Sequence, residues 1–396
     1  MPTKSQIAPI ELREVDYRTE FRPDIQALRA LAVMLVVLYH AGIPGVHGGF
    51  LGVDIFFVVS GFVITNVLLR ERSTSGRTSI PGFYSRRIRR ILPAGTLVLI
   101  LTVFATYHWL SYITGALVAD DAKYVAAFVG NFHFASIGTQ YFTANQPPST
   151  LQQFWSLAVE EQFYLVWPVL FLLLTRPWKL FSPVTRLVTA LTLVLLLSIS
   201  WGIAETNRNE IWAFFSPFSR AWELALGAVL AVLGPHLRGR APRLGITLAT
   251  VGLAVVLVCT WFYSSATSWP GSAVILPVVG AALIVGGGSL RGAGRIGPIV
   301  KFAPFQWTGD ISYSLYLVHW PVIAIATQYA TSPLPLHSRI ELVLLSVALS
   351  AVLYYVIENP IRRSSWLASR RLVTFGLGAF LIGMSFVAIY WHLSHH

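Results

Sequence analysis

The sequence has little charge and almost no cysteine. Asp, Glu, Lys and Arg make up 12% of its 396 residues, whereas a soluble globular domain carries about 25%. The one cysteine, Cys259, excludes a disulfide within the chain and a metal site built from several cysteines. No cleavable signal peptide is predicted, because a polar tail precedes the first apolar run and no small-residue cleavage site follows it.

Long apolar runs take the place of the missing charge. Hydrophobic residues make up 55% of the chain, and the mean hydropathy is +0.64. Apolar runs close to the length of a membrane-spanning helix recur along the whole sequence. They lie near 25–43, 50–69, 92–110, 154–175, 184–203, 213–233, 244–263, 272–288, 311–330, 340–357 and 372–392. The sequence therefore predicts an all-α, polytopic membrane bundle of about eleven helices, with the lipid bilayer as its surroundings.

The basic residues predict the orientation of these helices. Outside the apolar runs, 24 Lys and Arg residues fall in the N-terminal tail and in alternate loops, and three fall in the opposite loops. Loops rich in Lys and Arg stay in the cytoplasm. We therefore expect a cytoplasmic N-terminus and an external C-terminus, and we attribute the net charge of +12 to topology rather than to a nucleic-acid partner.

The chain divides into three parts. Residues 1–20 form a polar cytoplasmic tail, 21–360 the main membrane domain, and 361–396 a cytoplasmic loop with a final transmembrane helix. One external stretch, 116–134, has apolar residues at helical spacing. It predicts either a helix lying on the outer membrane surface or an ordinary loop helix packed against the bundle.

Ionisable residues inside the apolar runs are the candidate functional residues. Each costs roughly 2.5–3.5 kcal/mol at the bilayer centre on insertion scales, so such residues usually face one another or a wet cavity. They are Arg29, His40, Asp54, Glu160, Glu161, Arg220, Glu223 and His319.

Arg29 and His40 lie on one face of the first helix. His40 comes eleven positions after Arg29, which is close to three helical turns and a rise of roughly 16 Å. Arg29 is expected near the cytoplasmic end and His40 near the external end, so the two cannot act on the same atom. Asp54, after a glycine-rich turn, is expected at the level of His40, where a carboxylate would orient the imidazole and stabilise its cation.

For the other candidate residues, a purely structural role is an alternative to a role in the site. His319 is either a site residue or a hydrogen bond between helices, and Arg220 and Glu223 are either site residues or an ion pair within one helix. The run of Arg86, Arg87, Arg89 and Arg90 either sets the topology alone or binds phosphates at the cytoplasmic mouth.

Six motifs occur in an order that resembles the membrane-bound acyltransferase family 3, over roughly residues 21–360. They are FRPDIQALRALAVMLVVLYHAG (21–42), GGFLGVDIFFVVSGFVIT (48–65), FYSRRIRRILPA (83–94), FWSLAVEEQFYLVWP (154–168), SRAWELALGA (219–228) and ISYSLYLVHWP (311–321).

The resemblance implies roles for several residues. Arg29 and His40 match the family's Arg-x10-His motif, with His40 as the catalytic base. The arginine run contains the family's Arg-x-x-Arg element, which the resemblance associates with acyl-CoA, and Glu160 and Glu161 fall in its acidic motif. The motif around His319 adds Tyr313 and Tyr316 as candidate site residues. The fold implied is a ten-helix core plus one helix, in a stand-alone form without the external esterase-like domain of some members.

The function implied is transfer of an acyl group, most simply acetyl, from cytoplasmic acyl-CoA to a hydroxyl at the external face of a bacterial cytoplasmic membrane. The acceptor is expected to be a polysaccharide, a lipid-linked glycan or a glycosylated metabolite, and no metal is expected. Direct transfer and a covalent acyl-histidine relay both fit, and association with a second copy stays open. The alternative is a secondary transporter of a small polar solute, although the repeated halves typical of transporters are not evident.

Overall fold

A computed structural model describes residues 21–138, 147–177, 181–292 and 297–395. The predicted tail 1–20 lies outside the described residues. Within those ranges the secondary structure consists of helices, with no strand. The prediction of an all-α, multi-pass membrane protein is therefore confirmed.

The helices follow the predicted apolar runs closely. In chain order they are α1 (Pro23–His40), α2 (Gly52–Ser75), α3 (Ile80–Trp109), α4 (Tyr112–Ala126), α5 (Gly130–Ser136), α6 (Phe154–Leu174), α7 (Pro183–Arg208), α8 (Glu210–Phe215), α9 (Pro217–Leu237), α10 (Pro242–Phe262), α11 (Ile275–Arg291), α12 (Ala303–Tyr329), α13 (Leu336–Leu353), α14 (Asn359–Arg363), α15 (Ser365–Ser369) and α16 (Arg371–His395). A π-helical turn, Tyr354–Glu358, joins α13 to α14.

Eight helical segments within the described ranges are long and apolar enough to cross a membrane. The predicted count was about eleven. The three remaining predicted runs do form helices, α9, α11 and α12. Of these, α11 is shorter, with 17 residues, and α9 contains the ionisable pair Arg220 and Glu223.

Lipid-facing surfaces explain the excess of apolar residues. One side of α6 exposes large apolar side chains that a soluble protein would bury, such as Leu165 at 63% and Val166 at 54%. The opposite side of the same helix buries Trp167 and Phe171. Such a division is expected of a helix with lipid on one side and protein on the other.

Glycines let the central helices approach closely. A Cβ atom on Gly61 of α2 would lie 1.9 Å from the carbonyl oxygen of Leu224, and one on Gly227 of α9 would lie 2.0 Å from that of Val58. Within a membrane, helices associate by such backbone-to-backbone packing because burying apolar groups from lipid yields little. The α2–α9 crossing thereby sets the position of the polar residues on both helices.

Two helix boundaries differ from the prediction. Helix α3 begins at Ile80, where the Ser79 side chain accepts a hydrogen bond from the amide of Gly82, so the arginine run is helical rather than part of a long loop. The hydropathy pattern missed the first turns of α3 because the arginines lower the mean hydropathy there.

The predicted helix 116–134 is two helices. Helix α4 ends at Ala126, and Phe128 then adopts a φ of 56°, which a helix cannot continue. The imidazole of His133 on α5 contacts the carboxylate of Asp121 on α4 at 2.8 Å. Asp121 is thus buried where the two helices meet, with 8% of its surface exposed.

Candidate active site

A cavity of about 770 Å³ opens at the end of the bundle where α1 begins and α2 ends. Its volume lies within the usual range for small-molecule sites. Its mouth contains Arg22, Arg70 and Arg86, and its far end contains Ser156, Leu157 and Tyr316. The helices that line it are α1, α2, α3, α6 and α12.

Three of the four arginines of the α3 run line this cavity: Arg86, Arg87 and Arg90. The guanidinium of Arg86 pairs with Glu71 at 2.7 Å, and that of Arg87 lies 4.4 Å from the ring centre of Tyr164. At 100° per residue, positions 86, 87 and 90 share one face of a helix. The lining of the cavity as a whole contains six arginines and three glutamates, so arginine is in excess.

Arg89, the fourth arginine of the run, does not lie with the other three. It points to the other side of α3, is 8% exposed, and donates to the backbone carbonyls of Arg362 at 3.3 Å and Ser364 at 3.1 Å. A guanidinium held by carbonyl oxygens in this way anchors the segment after α13. Arg89 is thus not among the residues that line the cavity.

Arg29 lines the cavity deeper along α1. Its guanidinium donates to Gln26 Oε1 at 3.1 Å and to Ser312 Oγ at 2.7 Å. Both acceptors are uncharged, so the positive charge of Arg29 is not neutralised by these two contacts. The carboxylates of Glu358 and Asp310 act on it electrostatically from nearby.

Two carboxylates, Glu160 and Glu161, lie on the cavity wall formed by α6. Glu160 accepts hydrogen bonds from the hydroxyls of Ser60 and Tyr164. Glu161 has its Oε1 atom buried without a hydrogen-bond partner among the described residues. None of these contacts involves His40.

The two tyrosines of α12 also line the cavity. The Tyr313 hydroxyl donates to the carbonyl of Ile91 at 2.8 Å. The Tyr316 hydroxyl lies 2.6 Å from Ser156 Oγ and 3.1 Å from the carbonyl of Gln153. Tyr316 is therefore fixed across the far end of the cavity.

The two candidate histidines meet just beyond that far end. His40 Nδ1 lies 2.9 Å from His319 Nε2, and the two ring planes are nearly parallel, with an interplanar angle of 12° and ring centres 5.2 Å apart. The Tyr316 ring centre is 5.5 Å from that of His319. His40 is half-buried and His319 fully buried, so the pair occupies the layer next to the closed end of the cavity.

Asp54 does not contact His40 as the sequence predicted. Its carboxylate accepts a hydrogen bond from Arg220 Nη1 at 2.6 Å, and the same nitrogen lies 3.3 Å from Glu223 Oε1. All three residues are at most 1% exposed. Asp54 faces α9 because α2 packs closely on that helix, and the partner that the structure gives His40 is His319.

Sequence reasoning missed the uncharged partners. Ser60, Ser156, Tyr164 and Ser312 complete the hydrogen bonds of the charged and tyrosine side chains. Hydroxyl residues are common in membrane helices, so no local feature distinguished them. Glu358 was also missed; it is 1% exposed and accepts from Ser314 Oγ at 2.7 Å. No cluster of three or more metal-ligating side chains occurs in the described part of the chain.

The sequence is similar to a family of known proteins. Residues 22–357 match a family model described as an acyltransferase domain. YrhL of Bacillus subtilis, a proposed peptidoglycan O-acetyltransferase, is 31% identical over 366 residues, which are 89% of this chain and 56% of that protein. The peptidoglycan O-acetyltransferase OatA of Listeria monocytogenes is 30% identical over 373 residues, covering 90% of this chain and 58% of that protein.

A third relative is similar to the same extent. The O-acetyltransferase OatA of Staphylococcus aureus is 28% identical over 365 residues, 89% of this chain and 59% of that protein. The chain thus spans less than two thirds of the length of the curated relatives that it matches. No solved structure matches it significantly.

Proposed function

Since the chain belongs to the acyltransferase domain family, we propose that it is a membrane O-acyltransferase that moves an acyl group, most simply acetyl, from acyl-CoA to a hydroxyl of a cell-wall glycan. The acceptor class is suggested by the relatives, two of which carry peptidoglycan in their names. One observation carries the proposal. A cavity rich in arginine ends one residue layer from the His40–His319 pair.

The proposed orientation places the cavity mouth in the cytoplasm, in a bacterial cytoplasmic membrane crossed by about eleven helices. The basic loops support this arrangement. Acyl-CoA would then enter from the side on which it is made, and the acceptor would reach the histidine layer from outside.

The chemistry of the cavity fits an acyl-CoA donor. Guanidinium groups bind phosphate oxygens strongly, and Arg86, Arg87 and Arg90 lie where such a head group would enter. Further in, the unpartnered Glu161 Oε1 is suited to accept a hydrogen bond from an amide N–H of the pantetheine arm. Arg29 would attract the donor along the same wall.

In the proposed reaction His40 acts as the general base. It takes the proton of the acceptor hydroxyl while that oxygen attacks the thioester carbonyl carbon. The carbon–sulfur bond then breaks, and the electron pair leaves with the thiolate, which later takes up a proton. The closed end of the cavity at Tyr316 implies that this side chain shifts when the acyl group reaches His40.

The test uses the purified protein in liposomes with radiolabelled acetyl-CoA and soluble glycan fragments. We expect label on the glycan and release of free CoA thiol with the unaltered protein, and only a small residual rate of either with His40→Ala. His108→Ala is the control, because His108 is exposed at the end of α3. Transfer at the normal rate by His40→Ala would refute the role of His40, and solute flux without CoA release would refute the enzyme.

A further inference from the structure

The histidine pair fixes where protons sit on the two rings. His319 Nδ1 lies 3.0 Å from the backbone carbonyl oxygen of Leu315. A carbonyl oxygen can only accept, so His319 Nδ1 carries the hydrogen of this bond. In a neutral imidazole the other nitrogen then holds the lone pair. His319 Nε2, which faces His40, is therefore an acceptor.

The position of the hydrogen on the His40 ring follows from that on the His319 ring. The contact between His319 Nε2 and His40 Nδ1 is 2.9 Å, a normal hydrogen-bond length. Because His319 Nε2 accepts, His40 Nδ1 must donate. A neutral His40 with its hydrogen on Nδ1 carries its basic lone pair on Nε2.

We propose that His319 is a positioning residue that holds His40 in the tautomer whose Nε2 is the base, and that it shares the proton which His40 takes up. The inference rests on the proposed function, because it concerns the same base. It gives His319 the part that the sequence assigned to Asp54.

The proton balance of this step is simple. The proton of the acceptor hydroxyl moves to His40 Nε2, so the His40 ring becomes a cation with hydrogens on both nitrogens. Its Nδ1 hydrogen can then move toward His319 Nε2, whose lone pair accepts it, while His319 Nδ1–H stays bonded to Leu315. The positive charge is thereby spread over two rings in a layer where a single charge would be poorly solvated.

The packing supports a fixed geometry. His319 is 0% exposed, and the His40 ring also contacts Trp320, with ring centres 4.6 Å apart at 61°. Rings held on two sides keep their orientation. A catalytic base that acts through one particular nitrogen requires this.

The experiment compares His319→Leu with His319→Gln in the radiolabelled transfer assay. Leu fills the space but cannot accept a hydrogen bond. The Gln amide places a nitrogen with two N–H donors and a carbonyl oxygen on one carbon, about as far apart as the two ring nitrogens, so it can donate to the Leu315 carbonyl and still accept from His40. We expect His319→Leu to lower kcat by about 100-fold or more, the usual range for general base catalysis. We expect His319→Gln to recover all but about tenfold, with KM for acetyl-CoA unchanged in both.

Two further measurements separate positioning from simple loss of folding. His40→Ala combined with His319→Leu should be no slower than His40→Ala alone, because residues that act as a unit are not additive. Nitrogen-15 spectra of labelled histidine, assigned by loss of signals in His40→Ala, should show His40 protonated at Nδ1, and a mixture of tautomers in His319→Leu.

The outcomes distinguish this inference from the proposed function. A normal kcat in His319→Leu, or an unaltered His40 protonated at Nε2, would overturn the role of His319 while leaving His40 as the base. Normal transfer by His40→Ala would overturn the role of His40 as the base, and solute flux without CoA release by the unaltered protein would overturn the proposed function itself. His319→Gln as inactive as His319→Leu would also count against the tautomer argument.

Discussion

The close crossing of α2 and α9 makes Gly227→Ala an informative substitution. The added Cβ would lie 2.0 Å from the carbonyl oxygen of Val58, which is backbone and cannot rotate away. An ordinary contact begins at 3.4 Å, so the two helices must separate by about 1.4 Å at this point. Overpacking of this kind costs typically about 1–3 kcal/mol.

The separation also reaches the buried ion cluster. Arg220 on α9 and Asp54 on α2 are joined across this interface by a hydrogen bond of 2.6 Å. An added 1.4 Å would stretch it to about 4 Å, beyond hydrogen-bond range, and a buried charge that loses its partner costs about 3–5 kcal/mol. We therefore expect Gly227→Ala to lower the free energy of unfolding by about 3 kcal/mol or more.

The chain provides its own reporter for this measurement. Cys259 is its only cysteine and is 1% exposed, so a thiol-reactive fluorescent dye will label it only as the bundle opens. Melting curves in detergent should show Gly227→Ala opening several degrees below the unaltered protein. Gly61→Ala should behave alike, because its Cβ would lie 1.9 Å from a backbone oxygen.

A matched control lies in the last helix. A Cβ atom on Gly383 of α16 would have nothing within 4 Å, so Gly383→Ala meets no obstacle and should gain up to about 1 kcal/mol from helix propensity. If Gly227→Ala and Gly383→Ala opened at the same temperature, the crossing would not be as tight as described and the reasoning would fail.

Two further predictions concern charged side chains. Arg220→Gln should lower the free energy of unfolding by about 3–5 kcal/mol, since it leaves two buried carboxyl groups without their shared guanidinium. Glu223→Gln should lower it by less than about 1 kcal/mol, because Asp54 keeps the shorter contact with Arg220. Equal losses of stability in the dye assay would contradict this. Arg90→Ala should raise KM for acetyl-CoA by roughly 10- to 100-fold, the equivalent of one charge-assisted hydrogen bond, while Arg89→Ala should leave KM within about twofold. Equal KM changes in the steady-state transfer assay would show that the cavity does not bind the donor as proposed.

The sequence predicted the helices well because their determinants are local. An apolar run of membrane-spanning length forms a helix whatever its neighbours are, since its backbone groups must bond one another in lipid. Misjudged boundaries had a local cause too. The arginine run lowers the hydropathy of the first turns of α3, although Ser79 starts the helix there.

Candidate residues were identified from the cost of burying charge, and this reasoning found Arg29, Glu160 and Glu161, which the structure brings to one cavity. The same reasoning could not assign partners. It joined Asp54 to His40 because the two were expected at the same depth, but depth does not fix the direction in which a side chain points around its helix.

The sequence by itself thus determined that this is a multi-helix membrane protein with ionisable groups inside it, and that Arg29 and His40 share a helix face. These conclusions rest on helix period and on the energy of burial, which each segment carries alone. Only the tertiary structure decided that Asp54 bonds Arg220, that Arg89 turns away from the cavity and that His40 meets His319. Those contacts depend on how far each helix is rotated about its axis and on how closely it packs against the next helix. For the Asp54–Arg220 contact, the rotation and spacing are set where α2 and α9 approach closely at their glycines, which are distant from each other in the chain.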